Sequence, residues 1–161
     1  MGAIRKASRI AARKAYNAGI LLSCGLIPGS TPAYLQQKEA RDSIVSIADR
    51  VIRSGEPALT LRFSHDVTIL PLAYLMGLKE AMGGTTDLEN LYKHISIDKL
   101  IPMAANIQLV FYRKTDPEPA EGPDDVLVKF FLNENETTIP VKTDCPPFYH
   151  WEDVKRYCEY L

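Results

Sequence analysis

Apolar and polar positions along the chain follow two periods, and the change from one to the other marks the elements. Residues 35–54 place Ala40, Ile44, Ile47, Ala48 and Val51 on one stripe, with Arg41, Asp42, Asp49, Arg50 and Arg53 largely off it. That is the 3.6-residue period of an amphipathic helix. Gly55 is placed to end it, and Glu56-Pro57 prevents continuation. Ala58–Ser64 (ALTLRFS) is short and bounded by turn signals, and its apolar and aromatic residues predict a buried strand. Asp66–Leu78 is apolar over a helical length, with Gly77 marking its far end. Pro71 is awkward inside a helix but fits as its first residue if 66–70 form a tight turn.

Farther on, Thr86-x-x-Glu89 with Asp87 predicts the start of a short helix reaching about His94. Asn106–Arg113 and Val126–Leu132 read as strands joined by the acidic, Pro-rich stretch Thr115–Asp125, which predicts an antiparallel hairpin with a long solvated loop. Thr137–Lys142 is a third short strand by the same reading, with Pro140 confining it to an edge. Trp151–Tyr160 has helical character. The order of elements predicts a mixed α/β fold, with helices packed on a mixed sheet.

Composition narrows the picture. A chain of 161 residues with 46% hydrophobic and 24% charged residues fits a folded domain and excludes disordered, collagen-like and coiled-coil classes. The net charge of −1 shows no global basic excess, so nucleic acid is not an expected partner. The charge is unevenly placed, however: no acidic residue precedes Glu39, while Arg5, Lys6, Arg9, Arg13, Lys14 and Lys38 are all basic. Residues 1–30 are therefore set apart from 31–161, and three readings stay open for them. They form a basic helix that is solvated or packed on a partner, an export signal with Leu21-Leu22-Ser23-Cys24 as a lipoprotein-like box, or a segment of separate origin. No apolar run is long enough to predict a membrane span. Cys24, Cys145 and Cys158 are widely spaced and form no Cys-x-x-Cys, which argues against a disulfide scaffold or a structural zinc site.

The chemistry concentrates where the predicted strand runs into Ser64-His65-Asp66-Val67-Thr68 and then into a helix. In an open α/β sheet, ligands sit beyond the carboxyl ends of strands, and a helix starting there offers free N–H groups to an anion such as phosphate. A protonated His65 adds positive charge. Asp66 can deliver a proton to a leaving oxygen where a bound phosphate favours its protonated form. The structural alternative is that Asp66 is a helix N-cap, Thr68 sits in the turn that follows, and His65 is merely hydrogen-bonded. A His-Asp metal site needs further ligands. Only His94 and His150 remain, and neither has ligand-like spacing, so no metal is expected.

Leu61-Arg-Phe-Ser-His-Asp-Val-Thr-Ile-Leu-Pro-Leu-Ala73 resembles the His-Asp motif of the histidine acid phosphatases, also called branch 2 histidine phosphatases. Ile101-Pro-Met-Ala-Ala-Asn-Ile-Gln-Leu-Val-Phe-Tyr-Arg113 resembles the family's Pro-x-Ala-Asn strand. Val126–Asn133 and Val141-Lys-Thr-Asp-Cys-Pro-Pro-Phe-Tyr-His-Trp-Glu-Asp-Val154 continue the likeness, which is greatest to bacterial relatives of multiple inositol-polyphosphate phosphatase, a phytase-like group. The resemblance runs from about residue 31 to the end. It implies the C-terminal half of a phosphoglycerate-mutase-like fold, phosphomonoester substrates with inositol phosphates foremost, a phosphohistidine intermediate and no cofactor. His65 would contact the phosphoryl group and Asp66 would be the proton donor. Thr68 and Arg62 are the further candidates for substrate contact, Arg62 with a structural or peripheral role as the alternative.

One departure from the pattern outweighs these matches. The family's first strand carries Arg-His-Gly-x-Arg-x-Pro, whose His attacks phosphorus, and no Arg-His-Gly occurs in this sequence. The expected consequence is that the chain lacks turnover alone. A half-sheet with open edges should dimerise or join a separate N-terminal half, and a non-catalytic anion-binding or assembly module is the second reading. The family's members are typically periplasmic or secreted, but these residues show no convincing export signal. Phe148, Tyr149 and Trp151 read as packing before they read as a sugar-stacking platform, and Asn135-Glu136-Thr137 matches a glycosylation sequon.

Overall fold

The computed structural model of the chain describes residues 2–27, 29–83, 87, 89–113 and 126–160. Among these residues six α-helices and four short strands follow one another: α1 (Gly2–Ser23), α2 (Lys38–Ser54), α3 (Asp66–Leu75), α4 (Leu91–His94), α5 (Ile97–Leu100), β1 (Ile107–Arg113), β2 (Val126–Leu132), β3 (Asn135–Thr137), β4 (Tyr149–His150) and α6 (Trp151–Glu159). A tight helical turn, Ala33–Gln37, leads into α2. The helix predicted from Leu35 thus begins as this narrower turn.

The sheet is built on β2. Its alternation of apolar residues buries Val126, Val128, Phe130 and Leu132 on one face. The predicted hairpin is present, with β1 antiparallel to β2 and Ile107 opposite Leu132 through Arg113 opposite Val126. The other edge of β2 is shared by β3, opposite Phe130–Leu132, and β4, opposite Leu127 and Val128. Every pairing is antiparallel, so the mixed sheet expected from the sequence is corrected to an antiparallel one among the described residues. The third strand lies at Asn135–Thr137 and not at Thr137–Lys142, because the chain reverses directly after β2. Asn133 (φ 51°) and Glu134 (φ 66°) are both left-handed, the backbone of a two-residue hairpin turn. Pro140, which could not donate to a ladder, lies beyond it.

The core lies between the buried face of β2 and the helices. Leu70, Ala73 and Leu78 from α3 and its end meet Val128 and Phe130, closed by Trp151, Val154 and Cys158 of α6. Gly77, at φ 73°, ends α3 as expected, and a side chain there would collide with the Tyr157 hydroxyl and the Pro140 ring. Pro71 is inside α3, not at its start. The helix begins five residues earlier because the His65 carbonyl accepts Thr68 N–H at 2.9 Å and Ile69 N–H at 3.1 Å, closing a first turn from Asp66.

The far half of α1 contributes buried Asn17 and Leu21, followed by buried Cys24 and Leu26. Its basic first half is exposed, and Arg13 reaches across to the Asp98 carboxylate at 2.6 Å and to Ser96 Oγ at 2.5 Å. In α2, Gly55 (φ 72°) forms the expected left-handed cap. The buried side chain of that helix is Arg41, contrary to its placement off the apolar stripe. Arg41 shares its face with half-buried Val45, Ala48 and Ile52, and its Nε and Nη2 both donate to Asp42 Oδ1, at 3.0 and 2.8 Å.

The largest correction is at Ala58–Ser64, which is an extended segment with no strand partner among the described residues. Leu59 is 81% exposed, Leu61 66% and Phe63 92%. The segment has the composition of a buried strand and none of the burial. The loop Thr115–Asp125 and the Thr86 cap lie outside the described residues. Asp87 does cap the turn before α4, accepting from Glu89 N–H at 3.1 Å and Asn90 N–H at 3.3 Å.

Candidate functional site

His65 and Asp66 stand where the exposed extended segment meets α3. His65 is the N-cap, with φ −96° and ψ 163°, so the backbone turns from extended to helical at this residue. The expected N-cap position is thereby shifted by one. Asp66 is the first helical residue, and its Oδ1 accepts Val67 N–H at 2.8 Å. A carboxylate on the first turn complements the positive end of the helix dipole. Both side chains are exposed.

An arriving anion would find the Val67 donor already taken by Asp66. An imidazole and a carboxyl group on adjacent residues at a helix N-terminus can hold an anion and move a proton, once Asp66 releases Val67. Thr68 is half-buried, and its N–H is committed to the His65 carbonyl. Arg62 Nη2 donates to Ser43 Oγ at 2.7 Å, tying the extended segment to α2. Buried Cys24 lies within electrostatic reach of Asp66. Burial first, and the Asp66 charge in addition, push its thiol pKa up, so it is held as a protonated thiol and not as a nucleophile.

His94 ends α4 and is exposed, whereas His150 ends β4 and caps α6. By spacing along the chain His150 has no ligand-like partner, but the fold supplies two. The chain turns back after Cys145, whose carbonyl accepts Phe148 N–H at 2.9 Å, and this brings residues 144 and 145 against the end of β4. His150 Nε2 stands 2.9 Å from Asp144 Oδ1 and 3.8 Å from Cys145 Sγ. The hydrogen bond from His150 is the main cause holding the Asp144 carboxyl below the usual aspartate range. A shallow surface depression beside them is lined by Lys142, Thr143, Asp144, His150 and Asp153. The signal in the sequence was Asp-Cys-x-x-x-x-His around a Pro-Pro pair, which becomes a cluster only through the chain reversal.

The aromatic residues beside this cluster act in packing. Trp151 is buried edge-on to Phe111 at 4.9 Å, and its Nε1–H donates to Asp49 Oδ1 at 2.7 Å. The Tyr149 hydroxyl accepts Ile139 N–H at 3.2 Å, while Phe148 meets Tyr112 edge-on at 5.1 Å. The sequon Asn135-Glu136-Thr137 is β3 itself, with Thr137 buried and its hydroxyl donating to Glu80. No helix of the described residues is long and apolar enough to cross a membrane. Compared with protein-family models and with curated proteins, the chain matches neither a family model nor a curated sequence.

Proposed function

We propose that this chain is the C-terminal part of a phosphomonoesterase of the histidine acid phosphatase type. In that reading His65 contacts the phosphoryl group and Asp66 protonates the departing alcohol, with inositol phosphates as the leading substrate class. The nucleophilic histidine comes from an Arg-His-Gly-bearing portion that these residues do not contain. The observation that carries the reading is the Ala58–Ser64 segment. A run with the composition of a core strand leads straight into His65 and Asp66, yet Leu59, Leu61 and Phe63 are uncovered. Apolar side chains of this size are worth roughly 1.5–3 kcal/mol each on burial, which favours a further layer that pairs with the segment. Such a layer would face the same end of α3 that presents His65 and Asp66.

The reading predicts no turnover of p-nitrophenyl phosphate or phytate by the purified chain. It also predicts that inorganic phosphate shifts the NMR signals of the His65 ring and the first amides of α3, and that His65→Ala abolishes those shifts. Turnover that disappears in His65→Ala would mean a complete site in this chain. Shifts that persist in the variant, or none in the wild type, would overturn the phosphate contact.

A second reading, an assembly module without catalysis, is favoured by the same uncovered segment together with the outer edge of β1. That edge has no strand partner among the described residues, and Val110 and Tyr112 are exposed on it. Light scattering on the purified chain separates the cases, since a stable monomer on dilution counts against assembly.

A further inference from the structure

We propose that Asp144, Cys145 and His150 form an open binding site for a borderline-soft divalent cation of the zinc type. The three side chains offer a carboxylate oxygen, a sulfur and an imidazole nitrogen, all within 4.8 Å of one another. Tetrahedral zinc with bonds of about 2.0–2.3 Å sets such donors roughly 3.3–3.6 Å apart. The observed separations of 2.9 Å (oxygen to nitrogen) and 3.8 Å (sulfur to nitrogen) bracket that range. Shifts of a few tenths of an ångström, on the order of ordinary side-chain adjustment, would seat the ion.

The geometry separates a chelate from a catalytic relay. A Cys-His-Asp relay uses the two ring nitrogens separately, one toward sulfur and one toward the carboxylate. Here both Asp144 Oδ1 and Cys145 Sγ face the same atom, His150 Nε2. Three donors that converge on a point suit a cation. Sulfur and imidazole together favour zinc-like ions over magnesium or calcium, which prefer all-oxygen shells.

The scaffold holds the donors in place. His150 is fixed by its pairing with Leu127 and by its position as the cap of α6. Cys145 is fixed by the Phe148–Cys145 backbone bond and by Thr143, whose Oγ1 accepts Cys145 N–H at 3.3 Å, lies 3.4 Å from Sγ and donates to the Phe148 carbonyl at 2.7 Å. Contacts of this kind around ligands tune metal affinity. With only three protein donors, the remaining position opens into the depression, where Asp153 adds a carboxylate and Lys142 an opposing charge. An open three-ligand site is compatible with the lack of any Cys-x-x-Cys pair, which bears on closed structural zinc sites. On binding, the Cys145 thiol proton leaves to solvent as the sulfur–metal bond forms. The Asp144–His150 hydrogen bond is exchanged for two bonds to the ion: the Nε2 proton that made it passes to solvent, and the neutral imidazole bound through Nε2 carries its one proton on Nδ1.

Cobalt(II) titration of the full reduced chain tests the site. One equivalent of Co²⁺ should produce a thiolate-to-cobalt charge-transfer band in the near ultraviolet, and Zn²⁺ should bleach it. Cys145→Ser should abolish the band, leaving buried Cys24 and Cys158 silent. His150→Gln and Asp144→Asn, which retain the thiol, should each weaken binding at least about 10-fold. Far-ultraviolet circular dichroism confirms that each variant is folded. If Cys145→Ser is not folded, loss of affinity in His150→Gln still decides the question. No band in the wild type, a band unchanged by Cys145→Ser, or unchanged affinity in either of the other variants would overturn the proposal.

Discussion

Truncating Phe63 to alanine should leave the stability of the dilute chain nearly unchanged, although Phe63 lies in the most strand-like apolar run before the hairpin. Its side chain is 92% exposed, and its neighbours on the same alternation, Leu59 and Leu61, are also uncovered. A surface substitution of this kind falls within about ±0.5 kcal/mol, whereas removing a buried Phe costs roughly 3–5 kcal/mol. In a domain of this size the buried case would lower Tm by on the order of 10 °C, so the two are easily separated. The single tryptophan, Trp151, is 2% exposed and reports global unfolding by fluorescence. The wild type and Phe63→Ala should melt together at low concentration. Only the wild-type midpoint should rise with concentration, because burial of Leu59, Leu61 and Phe63 against a second surface gives roughly 1.5–3 kcal/mol each toward association. Association itself costs about 4–15 kcal/mol, so this strip needs help from a strand edge such as β1 to produce a stable complex. A variant midpoint lower by about 10 °C at high dilution would refute the reasoning, since Phe63 would then be packed within the isolated chain.

Two further outcomes follow from the backbone and the charges. Glu134 holds a left-handed conformation at φ 66° in the turn between β2 and β3, a position glycine adopts without strain. Glu134→Gly should therefore raise stability by about 0.5–1 kcal/mol in urea denaturation, and a loss would mean that the Glu134 side chain contributes in its own right. The Asp98 carboxyl is held below the usual aspartate range, first by the hydrogen bond from Ser96 and then by Arg13. A depressed carboxylate contributes stability that is present above its unfolded value of about 3.9 and is lost as pH falls through the folded value. Arg13→Ala should flatten the acid side of the stability profile below about pH 4, and an unchanged profile would show that Ser96 alone sets the shift.

The parts of the fold legible in the sequence were those decided by local pattern. The β1–β2 ladder followed from two strand-like runs, the end of α2 from Gly55, the end of α3 from Gly77, and α6 from the helical character of its residues. What could not be read depended on partners distant in the chain. Ala58–Ser64 has strand chemistry, but a strand exists only where another backbone pairs with it, and none among the described residues does. Charge usually marks the solvent face of a helix, which sets Arg41 off the apolar stripe, while the helix is rotated so that this residue turns inward beside Asp42. The turn at Asn133-Glu134 lacks the Asn-Gly signature that announces a two-residue hairpin, so the sequence pattern starts β3 at Thr137, two residues late. At the site, the adjacency of His65 and Asp66 and the helix that follows were visible directly. The convergence of Asp144 and Cys145 on His150 was not, because it arises from the return of the chain along β4.

The bond between Asp66 and Val67 bears on how a site at α3 would work. Poised as it is, the carboxylate satisfies the helix N-terminus from within, occupying an N–H that an incoming phosphate would otherwise take. A dianion arriving beside His65 would compete for that donor and repel the Asp66 charge. Both effects drive the side chain off the backbone and favour its protonated form. In the proposed site the displaced carboxyl would then be the proton donor standing next to the group that displaced it. Substrate binding and acid readiness would thus be one event, coupled through a single backbone N–H. This coupling distinguishes two variants that removal of charge alone would treat alike. Asp66→Asn keeps a side-chain oxygen able to cap Val67 and removes the acid, so phosphate should still bind, and more tightly once the repelling charge is gone. Asp66→Ala frees the Val67 N–H as well and should bind phosphate tightest of all. A phosphate affinity that falls in both variants would show that the carboxyl group assists binding and does not compete with it.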